Sequence, residues 1–390
     1  MKLPEIQAAL REHRFDAWLF YDHHHRDPIA YRVLGLPESL FVTRRWYYVI
    51  PAQGEPAKLV HRIEAGHLDS LPGRKLEYSA WSEQQENLGR MLEPYTTLAM
   101  QYSPMNQIPY VGLVDAGTVE LVRSFGKQVV SSGDLVSLFE ATFSEEQIRS
   151  HFAARDALDR ITEEAFQEIG RRVRHGGTHE FEIQQWLNEA FRREGLTHEN
   201  DPPIVAVNAN SGNPHYGPSA DHSAPIREGD WVLLDIWGKK QTPGAVYYDI
   251  TWTGFVGKNP SDKQREVFAI VRDARDVAVR TMQEALAAGR KLHGWEVDKA
   301  TRDFITSKGY GKYFTHRTGH SIGSADVHGN GPNIDNLETK DEREIIPYTC
   351  NSIEPGIYLP EFGVRSEVNV LVRPGKAEVT GKIQVEIVLI

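Results

Sequence analysis

The sequence predicts an α+β fold in two domains, an α/β domain over residues 1–140 followed by a larger domain over 144–390. Three observations carry this expectation. The chain has 390 residues, more than a single hydrophobic core usually serves. Its pattern changes at Ser144, from short alternating helical and strand-like stretches to long amphipathic helices followed by strands. The later part also holds two hairpin patterns, each with an acidic residue in both arms.

Composition narrows the class. Apolar residues make up 40% and charged residues 25%, with Gly and Pro scattered, which is globular usage. The formal net charge is −10 and no basic stripe is present, arguing against nucleic acid as a partner. The N-terminal MKLPEIQAALREHRF reads as an amphipathic helix without the apolar centre of a secretory signal. Apolar runs such as Trp231–Trp237 fall well short of the roughly 20 residues that cross a bilayer, so no membrane partner is expected. A single cysteine, Cys350, excludes an internal disulfide and fits a reducing compartment, so a cytoplasmic location is expected.

In the first domain the periodicity predicts a helix over 4–13, a strand over 16–22, and a strand pair over 41–50 and 57–63 around Gln53–Pro56. The run His23-His24-His25-Arg26 reads as a solvated loop, with substrate contact as the alternative. In the second domain Ser144 and Gln147 form a capping-box pattern, and Ile148, Phe152, Leu158, Ile161, Ala165 and Ile169 continue at helical spacing towards Gly176-Gly177. A further helix follows Thr178, and strands dominate from 203, interrupted by helices near 261–288 and 295–307.

The chemistry is expected in the hairpins. WVLLDIWG and VYYDITW flank Lys239–Ala245, and Asp235 and Asp249 are equidistant from Thr242. Residues so placed face each other across an antiparallel ladder, with Cβ atoms about 5 Å apart. CNSIEPGIYL and GVRSEVNVLV repeat the device about Pro360-Glu361, with Glu354 and Glu367 symmetric. Opposed carboxylates on apolar strands cost free energy unless a cation lies between them. One such hairpin could simply be a solvated edge; two together point to metal. A carboxylate-rich set with one imidazole suits divalent ions, Mn²⁺ first, with Zn²⁺ or Co²⁺ as alternatives. The segment His316–Gly323 offers the imidazole.

In chain order, the Asp of LLDIWG, the Asp of YYDITWT, the second His of HRTGHSIG, the Glu of SIEPGIY and the Glu of GVRSEVNVLV resemble the five ligands of the pita-bread metallopeptidases. These form the M24 family of Xaa-Pro aminopeptidases, Xaa-Pro dipeptidases (prolidases) and methionine aminopeptidases. The resemblance implies a pita-bread fold for 144–390 and a creatinase-type domain for 1–140, which points away from methionine aminopeptidase. It implies two divalent metal ions per chain, one on Asp235 and Asp249 and one on Asp249, His320, Glu354 and Glu367. It further implies Glu354 as proton shuttle, His215 of NPHYGPS beside the scissile nitrogen, His328 of DVHG on the oxyanion, and Arg365 orienting a ligand carboxylate.

The chain departs from the family pattern in a longer turn between the aspartates, one extra residue between His320 and His328, Gly329 in place of an acid, and Trp252 in place of the Arg of DITRT. His316 lines the pocket or makes a structural hydrogen bond; both readings stand. His198 and His222 read as loop residues, and Tyr247, Tyr248 and Trp252 as strand packing. The implied function is hydrolysis of Xaa-Pro bonds in dipeptides or short proline-containing peptides by a homodimer, with Xaa-Pro aminopeptidase action on longer peptides as the alternative. A metal-free creatinase-like amidinohydrolase or a non-catalytic pita-bread module would each have lost carboxylates that this sequence keeps.

Overall fold

The strand Ala17–Asp22 is apolar at consecutive positions because both of its faces are covered. Trp18 and Phe20 enter one core with Ile6, Leu10, Trp46 and Tyr48, while Leu19 and Tyr21 enter another with Tyr47, Leu88 and Met91. In the computed structural model, which describes residues 1–390, this strand is central to a six-stranded mixed sheet. It pairs antiparallel with Trp46–Pro51 and parallel with Thr97–Met100. The sheet belongs to the first of two compact units, Met1–Glu140 and Ala141–Ile390.

The expected strand over 41–50 begins late, at Trp46. The reason is a competing acceptor: the backbone N–H groups of Thr43 and Arg44 donate to the Glu64 carboxylate at 2.9 and 3.0 Å instead of to a ladder. The His23–Arg26 run is a tight turn on Asp22, whose carboxylate accepts from the N–H groups of His25, Arg26 and Asp27. His24, His25 and Arg26 are exposed within this unit.

The second unit repeats one order of elements. A long helix, Glu145–Arg174, is followed by a 14-residue helix, Glu180–Arg193, and then by the hairpin Trp231–Lys240 with Tyr248–Phe255. A second long helix, Asp262–Ala287, is followed by a second 14-residue helix, Gly294–Ser307, and then by Cys350–Ile353 paired with Val368–Arg373. The first long helix starts at the expected capping box, where Ser144 Oγ accepts from Gln147 N at 3.2 Å and Gln147 Oε1 from Ser144 N at 2.9 Å. Such a cap stabilises by about 1 kcal/mol. The helix buries Ala154, Leu158, Ile161, Ala165 and Ile169 against Leu234, Ile236, Tyr248 and Ile250 of the hairpin.

The register of the first hairpin differs from the expectation by two positions. Asp235 pairs with Thr251, and Trp237 with Asp249. The turn is Thr242-Pro243-Gly244-Ala245, closed by Ala245 N–H donating to Thr242 C=O at 3.1 Å with Gly244 at φ +73°, so its centre lies between Pro243 and Gly244 rather than at Thr242. A two-residue shift preserves the face of every side chain. Asp235 and Asp249 remain on one face as diagonal neighbours. The second hairpin keeps the expected register: Ile353 pairs with Val368 and Gly356 with Arg365, which puts Glu354 opposite Glu367 between these paired segments. The two hairpins are stitched together where Glu367 N–H donates to Thr251 C=O at 3.1 Å and Asp249 N–H to Asn369 Oδ1 at 3.0 Å.

Candidate metal centre

Asp235 and Asp249 reach the centre from buried strands, and Glu354 and Glu367 from the short links between the paired segments of the second hairpin. Asp249 and Glu367 are 5% and 1% exposed, and together with His320 they offer ligand atoms that all lie within 4.8 Å of one another. His320 Nε2 lies 3.4 Å from Asp249 Oδ2 and 3.5 Å from Glu354 Oε1. The ring is aimed by its other nitrogen, Nδ1, which donates to the Ser321 carbonyl at 3.0 Å and so leaves a lone pair on Nε2 facing the carboxylates. The backbone at this point depends on Gly319, because a Cβ there would fall 1.9 Å from the Ser352 carbonyl oxygen. That close approach lets His320 N–H reach Ser352 Oγ at 2.9 Å.

Asp235 is held differently. Arg365 Nη2 forms an ion pair with its Oδ2, and Thr251 Oγ1 lies 2.8 Å from its Oδ1. The same hydroxyl lies 2.8 Å from Glu367 Oε2 and accepts from Arg365 Nε at 3.1 Å. One hydroxyl proton cannot serve two carboxylates, so without a cation one of them must carry a proton of its own. Burial, with the charges of Asp235 and Glu354 added, raises Asp249 well above the usual carboxylate range, and burial with Asp249 does the same to Glu367. Burial outweighs the Arg365 charge and pushes Glu354 up to about 7. Burial, followed by His328 and Arg317, drives His320 well below the usual imidazole range.

Two buried oxygens, Asp249 Oδ1 and Glu367 Oε1, have no hydrogen-bond partner. Of the four carboxylates, Asp235 and Glu354 are ion-paired to the Arg365 guanidinium, and the neutral imidazole presents a lone pair. This donor set fits divalent cations: they would partner the orphaned oxygens and relieve the repulsion that protons otherwise relieve.

The centre opens into a cavity of about 830 Å³ whose walls include Asp235, Asp249, His320, Glu354 and Arg365. His215, His316 and His328 lie on the same walls, while Glu367 sits behind them. The His328 ring stands edge-on to His320 with centroids 4.3 Å apart. His316 fulfils both readings open to it: it lines the cavity, and its Nε2 accepts from the Tyr358 hydroxyl at 2.7 Å while Nδ1 donates to Arg317 C=O at 2.6 Å. Burial, then Arg365, lowers His316 to about 3.

Sequence reasoning missed several of the residues here. Thr251 had a signal, being two positions from Asp249 and therefore on the same strand face. Trp237 had the same relation to Asp235. Tyr358, whose oxygen accepts from Arg365 Nη1 at 3.2 Å, and the cavity residues Asp201, Arg317 and Glu338 had no signal in spacing alone.

The sequence model of metallopeptidase family M24 matches residues 155–374, more than half of the chain. The chain belongs to metallopeptidase family M24. This M24 chain is 36% identical over 176 residues to the Xaa-Pro dipeptidase of Lactobacillus helveticus, covering 45% of the chain and 43% of that enzyme. It is 27% identical over 336 residues to the Xaa-Pro dipeptidase of Pyrococcus horikoshii, covering 84% and 87%. The first relatives are matched over part of their length only, 61% for a Mycoplasma pneumoniae protein and 43% for the Lactobacillus enzyme. Among solved structures, dipeptidase PepE from Mycobacterium ulcerans superposes with a TM-score of 0.70 at 22% identity, covering 99% of this chain and 96% of that one. The likeness establishes the fold, with the pita-bread arrangement in the second unit.

Proposed function

We propose that this M24 chain hydrolyses Xaa-Pro dipeptides with two divalent metal ions, Mn²⁺ first and Zn²⁺ or Co²⁺ as alternatives. The observation that carries the reading is the convergence of buried Asp249, His320 and Glu367, with two orphaned carboxylate oxygens, at the wall of a cavity large enough for a short peptide. Similarity to the Xaa-Pro dipeptidases of Lactobacillus helveticus and Pyrococcus horikoshii supports the substrate class. When bound, such an ion pair supplies an activated water at neutral pH and a Lewis acid for the scissile carbonyl.

The chain's own groups divide the remaining work. Asp249 and Glu367 would serve both ions, Asp235 would complete the set for one, and His320 with Glu354 the set for the other. Glu354 moves a proton from the attacking water to the leaving nitrogen. His215 hydrogen-bonds beside the scissile nitrogen, and His328 donates to the oxyanion. Arg365 keeps Thr251, Tyr358 and Asp235 oriented through its three nitrogens, one to each. Proline fits such a site because its bond has no N–H for general peptidases to engage and its ring is already fixed. Residues 1–140 are assigned as a creatinase-type domain, and the active form as a cytoplasmic homodimer.

The test is kinetic, on Mn²⁺-reconstituted protein, with Ala-Pro and Ala-Pro-Ala compared by kcat/KM alongside elemental analysis. About two ions per chain and a ratio above one for Ala-Pro over Ala-Pro-Ala are expected. A ratio well below one transfers the assignment to Xaa-Pro aminopeptidase, and cleavage of neither refutes both.

A further inference from the structure

Near its N-terminal end, each 14-residue helix of the second unit carries a carboxylate with no solvent exposure: Glu180 in the first, Asp298 in the second. Neither residue lines the cavity. Burying a charge this completely is unfavourable unless it is fully hydrogen-bonded, and what each one binds is a loop that carries the site's side chains.

Glu180 is satisfied by neutral donors spread over residues 207–224. Its Oε1 accepts from Val207 N at 2.8 Å and Asn210 Nδ2 at 2.9 Å, and its Oε2 from the Tyr216 hydroxyl and Ala224 N, both at 2.6 Å. The segment is thereby folded around one carboxylate in the first turn of a helix, where negative charge is favoured. His215, the residue before Tyr216, is carried to the cavity wall by that fold.

Asp298 does the equivalent in the other half. Its Oδ1 accepts from Thr318 N at 2.9 Å and Thr318 Oγ1 at 2.7 Å, while Arg302 forks onto both oxygens at 3.0 and 2.9 Å. Arg302 also donates to the carbonyls of Phe314 and His316 at 3.0 and 2.8 Å. The Thr318 carbonyl in turn accepts from Glu354 N–H at 2.8 Å. One carboxylate thus sets the backbone two residues before His320 and the backbone of Glu354.

We infer that Glu180 and Asp298 are positioning residues of the site, Glu180 aiming His215 and Asp298 fixing the ligands His320 and Glu354. The inference rests on the two-metal reading above, and it predicts that the two residues fail in different ways. Glu180→Gln turns an N–H₂ towards existing donors and loosens the 207–224 segment. Mn²⁺ affinity should hold while kcat on Ala-Pro falls by roughly tenfold to a hundredfold, the cost of a displaced contact. Asp298→Asn should weaken Mn²⁺ binding by about tenfold or more, as loss of an outer partner of metal ligands does.

Two gentler variants guard against simple unfolding. Tyr216→Phe removes only the hydroxyl that ties Glu180 beside His215, and Thr318→Val spares the Asp298–Arg302 pair. Each should show its partner's signature in weaker form, and Glu180→Gln with Tyr216→Phe should be non-additive. The measurements are Mn²⁺ titration calorimetry and steady-state kcat on folded holoenzyme. Wild-type-like behaviour of all four variants, or an equal loss of affinity and kcat in both halves, would overturn the inference. Wild-type protein that binds no Mn²⁺ and cleaves no Xaa-Pro peptide would instead overturn the reading beneath it, and the inference with it.

Discussion

At the scale of single residues the centre is a problem of charge, and the ligands differ in what their loss leaves behind. Asp249→Ala or Glu367→Ala removes a carboxylate with an orphaned oxygen. Each should abolish turnover and reduce bound Mn²⁺, measured by elemental analysis after dialysis; near-normal activity in Asp249→Ala would contradict the bridging role proposed for it. His215 lies on the cavity wall and outside the converging group. His215→Ala should therefore keep the metal and lose roughly 10²–10³ in kcat, as for a lost transition-state donor. Gly319 fails for a different reason. A methyl group 1.9 Å from the Ser352 carbonyl cannot be accommodated without moving backbone, so Gly319→Ala should destabilise by about 1–3 kcal/mol. Because the same backbone aims His320, weaker Mn²⁺ binding should accompany the fall in the urea midpoint.

At the scale of elements, the two hairpins show what periodicity carries and what it leaves open. The face of Asp235 and Asp249 was legible because side chains alternate with period two, and an error of two positions leaves that face intact. Their partners were not legible, since the Pro243-Gly244 turn centre depends on local dihedrals that spacing does not encode. Glu354 and Glu367 were placed correctly because Leu359 N–H donates to Phe362 C=O at 3.0 Å, closing a tight turn whose centre the sequence marks. The capping box at Ser144 was legible because all its groups are local. Glu180 and Asp298 were invisible because the loop residues they hold lie some 20 to 44 positions away, and Arg302, four positions from Asp298, reads only as an ordinary helical pair.

The long helix adds a prediction about acid. His151 is 1% exposed, its Nδ1 lies 2.7 Å from the Tyr247 carbonyl and its Nε2 2.8 Å from Thr380 Oγ1. Burial lowers its pKa to about 4. The unfolded chain then binds the proton more tightly, so the stability this group contributes is complete above about 6.5 and is lost as pH falls through about 4. Urea midpoints measured from pH 7 to pH 4 should fall less steeply in His151→Gln than in the wild type, and parallel curves would rule the histidine out as a cause.

At the scale of the whole molecule, proton and metal compete for one set of groups. Asp249, Glu367 and Glu354 have folded-state pKa values raised by burial, Glu354 to about 7. Without metal the folded chain therefore holds protons that the unfolded chain has released. The stability associated with these carboxylates is complete below their ordinary range, near 4, and is lost as pH rises through their folded values. His320, with its pKa lowered, acts in the opposite direction and favours the folded chain as pH rises. The difference between metal-loaded and metal-free protein separates the metal-linked part from titrations common to both. Ions bind deprotonated carboxylates and neutral imidazole, so their affinity must increase with pH. At a free concentration of 100 Kd the added stability is about 2.7 kcal/mol. The gain in Tm on replacing chelator by a fixed Mn²⁺ concentration should therefore grow from pH 5 to pH 8, and it should vanish in Asp249→Ala. A gain that stays constant or shrinks with pH would mean that Mn²⁺ binds somewhere other than this buried cluster.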